Sequence, residues 1–130
     1  MQLAEALGKL DRLQGTVQDL KTFGFGDHPR FEALLAFDGE EAVGLAIIFS
    51  EYSTWRGTPG VYVQDLYVAK HLRGSGLGRK LLRAVRDRGR SWGGRYVKLS
   101  VYDGNQAAIS FYRHLGFELS DDEQCLVLRD

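Results

Sequence analysis

Apolar residues at Leu3, Ala6, Leu7 and Leu10 recur at spacings of three and four, with Leu13 in phase, and predict a short amphipathic helix at the start of the chain. A second helix is predicted from Thr16, where Thr-Val-Gln-Asp sets an acid three residues after a candidate N-cap. Gly24, Gly26 and Pro29 break that pattern. Residues 31–37 and 43–49 then read as strands joined across Asp38-Gly39, a strong hairpin dipeptide. Residues 53–60 carry Gly57, Pro59 and Gly60 and read as a loop, and residues 61–68 as the next strand. Leu77, Leu81, Ala84 and Val85 mark a helix after a glycine-rich segment. Val97, Leu99 and Val101 share one face of a strand over 96–101. After Asp103-Gly104, Asn105 is a good N-cap for a helix ending near Leu115, with Gly116 at C′, and residues 125–128 close the chain as a last strand. No internal repeat, low-complexity tract or linker interrupts this order, so a single domain over 1–130 is expected.

The strand over 61–68 is irregular. Val61 and Val63 fall on one parity, Leu66 and Val68 on the other. A period of two cannot slip in a regular strand without turning the apolar face outward, so either a β-bulge lies around residues 64–66 or both faces are buried. A bulge would leave backbone N–H groups in search of an acceptor.

The 130 residues are 44% hydrophobic and hold seventeen Lys/Arg against seventeen Asp/Glu, within the range of one ordinary domain. No apolar run approaches the roughly 20 residues a membrane helix needs, and the N-terminus lacks the basic and apolar regions of a leader. A cytoplasmic protein without membrane association is expected. One cysteine, Cys125, excludes an internal disulfide and reads as a core residue. With His28, His71 and His114 scattered, no metal is expected. The zero net charge hides an asymmetry, since residues 70–98 hold ten Lys/Arg against Asp87 alone, +9 against −9 elsewhere. That stretch is either a solvated helix face or a site for a polyanion. The acidic remainder argues against broad nucleic-acid binding.

Arg73-Gly74-Ser75-Gly76-Leu77-Gly78-Arg79-Lys80 is a glycine-rich loop feeding a helix N-terminus. Glycines let the backbone approach a ligand closely, and successive N–H groups at a helix start form an anion site reinforced by the helix dipole. Arg79 stands where a dinucleotide fingerprint needs its third glycine, and no Gly-Lys-Ser/Thr follows, so kinase and NAD readings weaken. A phosphate-bearing ligand remains the expectation.

The strand Val61-Tyr-Val-Gln-Asp-Leu-Tyr-Val68, then Arg73-x-x-Gly76-x-Gly78, then Asn105 and Phe111-Tyr112 resemble the GNAT superfamily of N-acetyltransferases. Gly24-Phe-Gly-Asp-His-Pro29, the Tyr52-Ser-Thr stretch, Asp65-Leu-Tyr-Val68 and Ser110-Phe-Tyr112 look like its diamine and thialysine acetyltransferase branch, a likeness running from about residue 2 to 129. The resemblance implies acetyl-CoA as donor. Its pyrophosphate would lie on the amides of Gly74, Ser75, Gly76, Leu77, Gly78 and Arg79 beside Arg73, and its pantetheine arm along Leu66, Tyr67 and Val68. Asn105 and the backbone near 98–100 would line the groove, and the basic stretch would suit the adenosine 3′-phosphate. Tyr112, two helical turns from Asn105 and so able to face the same groove, matches the tyrosine that protonates the departing thiolate; as a plain structural residue it would be a core aromatic beside Phe111 and Leu115. A bulge N–H at Leu66 or Val68 would polarise the thioester carbonyl.

An alkyl ammonium with a pKa of about 10.4 is neutral in only about one part in 2,500 at pH 7, a handicap of roughly 4.6 kcal/mol. The branch's presumed base is a glutamate at the position held here by Gln64, which takes no proton. Asp65 or Glu51 acting through water, or an amine already neutral on arrival, are the alternatives. Asp65 could also pair with the acceptor's ammonium, or merely satisfy local backbone N–H groups. Glu51, Tyr52 and Trp55 lie where the family places part of the acceptor pocket, and an aromatic and acidic lining suits a cation; loop aromatics equally suit a dimer contact.

The expected fold is α/β, with a mixed, mostly antiparallel central sheet splayed at a bulge and flanked by helices. The family's opening strand has no counterpart, because Met1 begins inside what resembles the first helix. The expected activity is acetyl-CoA-dependent N-acetylation of a small primary amine by direct ternary-complex transfer, in a homodimer. A protein or peptide N-acetyltransferase, a catalytically lapsed CoA-binding module and a nucleic-acid binder are the alternatives.

Overall fold

The computed structural model describes residues 17–120 and 123–130; the helix expected over the first residues lies outside them. Two compact units divide the chain, one ending at Ser100 and one beginning at Val101. In the first, helix α1 (Val17–Gly24) precedes strands β1 (Glu32–Asp38), β2 (Glu41–Ser53) and β3 (Thr58–Val68). A 3₁₀ turn (Lys70–Leu72), helix α2 (Leu77–Ser91) and strand β4 (Val97–Leu99) follow. The sheet order is β1-β2-β3-β4, with β1, β2 and β3 antiparallel and β4 parallel to β3. This is the mixed, mostly antiparallel α/β architecture expected from the sequence.

The hairpin forms where Asp38-Gly39 predicts it, with Gly39 at φ 63° and Asp38 opposite Glu41. The loop predicted over 53–60 is shorter. The β2–β3 ladder runs on to Ser53 opposite Thr58, because Gly57 at φ 67° turns the chain and donates its N–H to the Ser53 carbonyl. Pro59 is tolerated inside β3, with its carbonyl accepting the Arg95 N–H.

Helix α2 covers one face of the sheet and buries Leu81, Leu82, Val85 and Gly89. Spacings of four and one keep them in a single stripe, which leaves the predicted Ala84 exposed. Facing them are Ala46, Ile48, Val61 and Val63, all 4% exposed or less. Contact is closest at Gly89, where an added Cβ would sit 2.9 Å from Val61 Cγ1, so the helix lies on the sheet only because that position has no side chain. Gly44 is likewise pressed between Ala36, Leu81 and Leu77.

In the second unit, helix α3 (Gln106–His114) starts where Asn105 caps it, the Oδ1 accepting the Ala108 N–H at 3.2 Å. It ends where Gly116 at φ 102° lets Gly116 and Phe117 return their N–H groups to the Arg113 and Tyr112 carbonyls. The strand expected over 125–128 does not form. Among the described residues no ladder pairs those positions, Leu126 and Leu128 are 91% and 99% exposed, and Cys125 is exposed rather than a core residue. Local β propensity makes no strand without a partner to share its hydrogen bonds.

Candidate functional site

The slip in β3 is a bulge at Gln64. Ile47 lies opposite Asp65 and Ile48 opposite Val63, so Gln64 has no partner on β2. The extra residue restores the phase of the pleat. Val61 and Val63 before it, and Leu66 and Val68 after it, share the face turned toward α2, while Tyr62, Asp65 and Tyr67 share the opposite face.

Strand β4 pairs with β3 only from Val61 to Val63 and ends at Leu99. From Gln64 onward the outer edge of β3 has no strand beside it among the described residues. The Ala69 N–H points to Val43 on β2, and backbone groups alternate along a strand, so the N–H groups of Leu66 and Val68 point to that open edge. The Val68 carbonyl, on the same side, accepts from Arg73 Nε at 3.2 Å. Arg73 thereby ties the end of β3 to the glycine loop and brings together two of the segments singled out in the sequence.

Asp65 is half-buried and makes no hydrogen bond or ion pair among the described residues, so the reading in which it merely satisfies local N–H groups finds no support. Its burial raises its pKa above the usual carboxylate range. Beside it on the same face, Tyr62 stacks on Phe49 with ring centroids 5.0 Å apart and donates its hydroxyl to Ser100 Oγ at 2.8 Å. Nothing in the sequence flagged that pair, because Ser100 reaches Tyr62 only through the parallel register of β4. Gln64, the position of the branch's glutamate, is the bulged residue itself and is exposed.

Glu51 and Tyr52 lie elsewhere. Glu51 is opposite Gly60, four residues along β2 from the partner of Asp65, roughly 13 Å at the strand rise. The Tyr96 hydroxyl lies near the Glu51 carboxylate, and burial followed by that carboxylate raises its pKa. The Tyr96 ring lies flush on Gly60, and the Arg56 guanidinium sits 5.2 Å from its centre. Tyr52 and Trp55 are exposed near the hairpin tip.

After the 3₁₀ turn, Gly74 and Gly76 adopt φ 84° and 90°, and Gly76 caps α2 with no side-chain bond. The Ser75 N–H reaches the Leu72 carbonyl at 3.2 Å, and the first amide of α2 to find a carbonyl is that of Lys80, on Gly76. The N–H groups of Gly74, Gly76, Leu77, Gly78 and Arg79 have no backbone acceptor among the described residues, and a Cβ at Gly74 or Gly76 would meet open space. Ser75 turns its hydroxyl inward to the Leu72 carbonyl. The result is a concave row of donors at the positive end of a fifteen-residue helix.

In the second unit, Tyr112 lies between the edges of Phe111 and Phe117, at 5.2 and 5.5 Å between ring centres. Burial raises its pKa, so the phenol holds its proton at neutral pH. Asn105 spends its carbonyl oxygen on the helix cap and retains its amide NH₂.

A family model described as the acetyltransferase (GNAT) family matches residues 5–117. The chain belongs to the GNAT acetyltransferase family. Among curated relatives of this GNAT enzyme, the thialysine N-epsilon-acetyltransferase of Mus musculus is 31% identical, over 99% of this chain and 83% of the relative. An L-methionine sulfoximine/L-methionine sulfone acetyltransferase of Pseudomonas paraeruginosa is 36% identical, over 62% of this chain and 48% of the relative. A probable spermine N(1)-acetyltransferase of Bacillus subtilis subsp. natto is 29% identical, over 68% and 59%. Among solved structures, an aminoglycoside acetyltransferase from an uncultured soil metagenomic sample superposes with a TM-score of 0.77 over 98% of this chain and 85% of that one, at 20% identity, which speaks to the fold alone.

Within this GNAT chain the basic stretch is not one surface. Arg79, Lys80 and Arg83 surround the first turns of α2, where its free amides lie. Arg88, further along, is used internally. Its guanidinium grips both oxygens of Glu32 at 2.6 and 2.9 Å, lies over the Trp92 ring, and lowers the Glu32 pKa.

Proposed function

We propose that this GNAT enzyme transfers the acetyl group of acetyl-CoA to a small primary amine of the diamine, polyamine or thialysine kind, by direct attack within a ternary complex. The observation that carries this reading is the Gln64 bulge: beyond it, two backbone donors on the outer edge of β3 and a half-buried carboxylate beside them have no partner among the described residues. The names of the relatives, drawn from amine and amino-acid acetylation, support the acceptor class.

The donor set suits acetyl-CoA. The amides of Gly74 and of Gly76 to Arg79 would take its pyrophosphate, and the glycines leave room for close approach. Arg73 would act indirectly, by fixing that loop to Val68. The outward N–H groups of Leu66 and Val68 would hold the pantetheine amide and the thioester carbonyl, where a fixed donor stabilises developing negative charge better than water does. When bound, acetyl-CoA supplies an activated acyl group and a thiolate leaving group.

The acceptor would enter on the face of β3 that carries Tyr62, Asp65 and Tyr67. Asp65 would attract its ammonium and take the excess proton, directly or through water. A raised pKa brings a carboxylate closer to neutrality and makes it a better base. Tyr112, protonated at neutral pH, would deliver a proton to the departing sulfur. Glu51, far along the ladder, is not needed for these steps.

The test is acetyl-CoA-dependent thiol release across diamines, polyamines, thialysine, aminoglycosides and short peptides, corrected for acceptor-free hydrolysis. Release with diamines, polyamines or thialysine is expected. Release with peptides alone, or silence across the panel while acetyl-CoA still binds, would refute the assignment.

A further inference from the structure

Three arginines of the basic stretch lie neither beside the glycine loop nor in the Arg88–Glu32 pair. Arg86 and Arg90, one helical turn apart in the second half of α2, and Arg95, just before β4, line one cleft together with Gly89, Gly94 and Tyr96. The local chain is built to bring Arg95 there. Gly93 at φ 84° reverses the backbone after α2, and Gly94 lies so close to the helix end that a Cβ would sit 2.7 Å from the Gly89 carbonyl oxygen. The Arg95 N–H is then fastened to the Pro59 carbonyl at 3.0 Å.

Their electrostatics contrast with those of their neighbour. Arg88 has a carboxylate and an aromatic ring, whereas the side chains of Arg86, Arg90 and Arg95 form no ion pair or hydrogen bond among the described residues. Like charges four residues apart on a helix repel, and only Arg90, in the last turn, gains from the helix dipole. Arg86 and Arg95 have no such compensation. Guanidinium groups present planar pairs of donors that match phosphate oxygens. The cleft has a volume of about 220 Å³ and is partly open to solvent, below the roughly 300–1,000 Å³ of drug-sized ligand sites, so only a compact ligand fits it. Residues outside 70–98 carry net −9, which disfavours a long polyanion wrapping the surface and favours a compact one.

We propose that this cleft is a second anion site, taking a small molecule with several phosphate charges, separate from the glycine loop. Gly76 and Arg86 are ten residues apart, about 15 Å of helix, so the two sites stand well apart on α2.

Isothermal titration of the full chain with sodium tripolyphosphate at physiological salt tests it, alone and with saturating CoA. With the glycine loop filled by CoA, one mole per mole should still bind; without CoA a second mole can occupy the loop amides. Arg86→Gln/Arg90→Gln and, separately, Arg95→Gln should weaken it by about tenfold or more. Arg88→Gln, which removes the same charge outside the cleft, should weaken it far less. Loss of binding on CoA addition would assign these arginines to the cosubstrate's own phosphates and overturn the proposal. Equal affinity in all variants, no binding at millimolar tripolyphosphate, or binding of a single-stranded RNA oligonucleotide but not of tripolyphosphate would overturn it as well. The arginine variants decide the point whether or not CoA binds.

Discussion

Replacing Asp65 with asparagine keeps the shape of the side chain and removes its charge. If the carboxylate serves as the base, turnover on diamines or thialysine should fall by about 10²- to 10⁴-fold, the usual worth of a positioned base. The larger end of that range is expected, because neither other position weighed for the role can stand in: Glu51 is roughly 13 Å along the ladder and Gln64 takes no proton. Stability should move the other way. Burial raises the folded-state pKa of Asp65 above its unfolded value, so its favourable contribution is fully present only below the unfolded pKa and is lost as pH rises through the folded one. At pH 7 the charged group therefore weighs against folding, and Asp65→Asn should raise Tm, with the gain shrinking as pH falls below the usual carboxylate range. The assay pairs thiol-release kinetics over pH 5–9.5 with thermal melts. In the parent, kcat/KM should carry a limb from Asp65 that the variant lacks, leaving only the rise set by the amine. Turnover within twofold of the parent, or a Tm that falls at pH 7, would refute the argument, the second by revealing a structural bond that Asp65 does not make in this fold.

Tyr112→Phe should lower turnover while acetyl-CoA affinity measured by titration stays unchanged; equal turnover would remove the phenol from the mechanism. Gln64→Glu should leave diamine turnover little changed, since the exposed bulge residue adds a second acid beside one already in place, and a gain of an order of magnitude would show that Asp65 is not the working base. Gly76→Ala forces a side chain onto φ 90° at the start of α2 and should cost about 1–2 kcal/mol in urea unfolding, together with weaker acetyl-CoA binding. Unchanged stability would mean that the loop adopts another backbone path.

Features governed by neighbours in sequence were legible in advance. The parity slip at Gln64 and Asp65 announced the bulge, Asp38-Gly39 the hairpin, and Asn105 with Gly116 both ends of α3. What depended on partners far along the chain was not legible. The strand expected over 125–128 required a neighbour that it lacks among the described residues, and Cys125 went with it. The resemblance groups Glu51 and Tyr52 with Asp65, and how far apart they stand, Glu51 four residues along β2 from the partner of Asp65, is set by the antiparallel register, which the sequence does not show. The division of the basic stretch into an amide-rich helix start, an internal Arg88–Glu32 clamp and the Arg86, Arg90 and Arg95 cleft follows from helical rotation and from the turn at Gly93, neither of which composition reveals.

The single extra residue at Gln64 also makes the two sides of β3 separately evolvable. Positions 61, 63, 66 and 68 answer to the helix beneath them, and positions 62, 65 and 67 answer to whatever comes from the opposite side. A combinatorial library randomised at Gln64, Asp65 and Tyr67 should therefore explore new acceptors while most of its members still fold. Deleting Gln64 alone would exchange the two sets of side chains beyond that point, turning Asp65 and Tyr67 toward the core and Leu66 and Val68 away from it. Along this strand, diversification by substitution is open and diversification by length is closed.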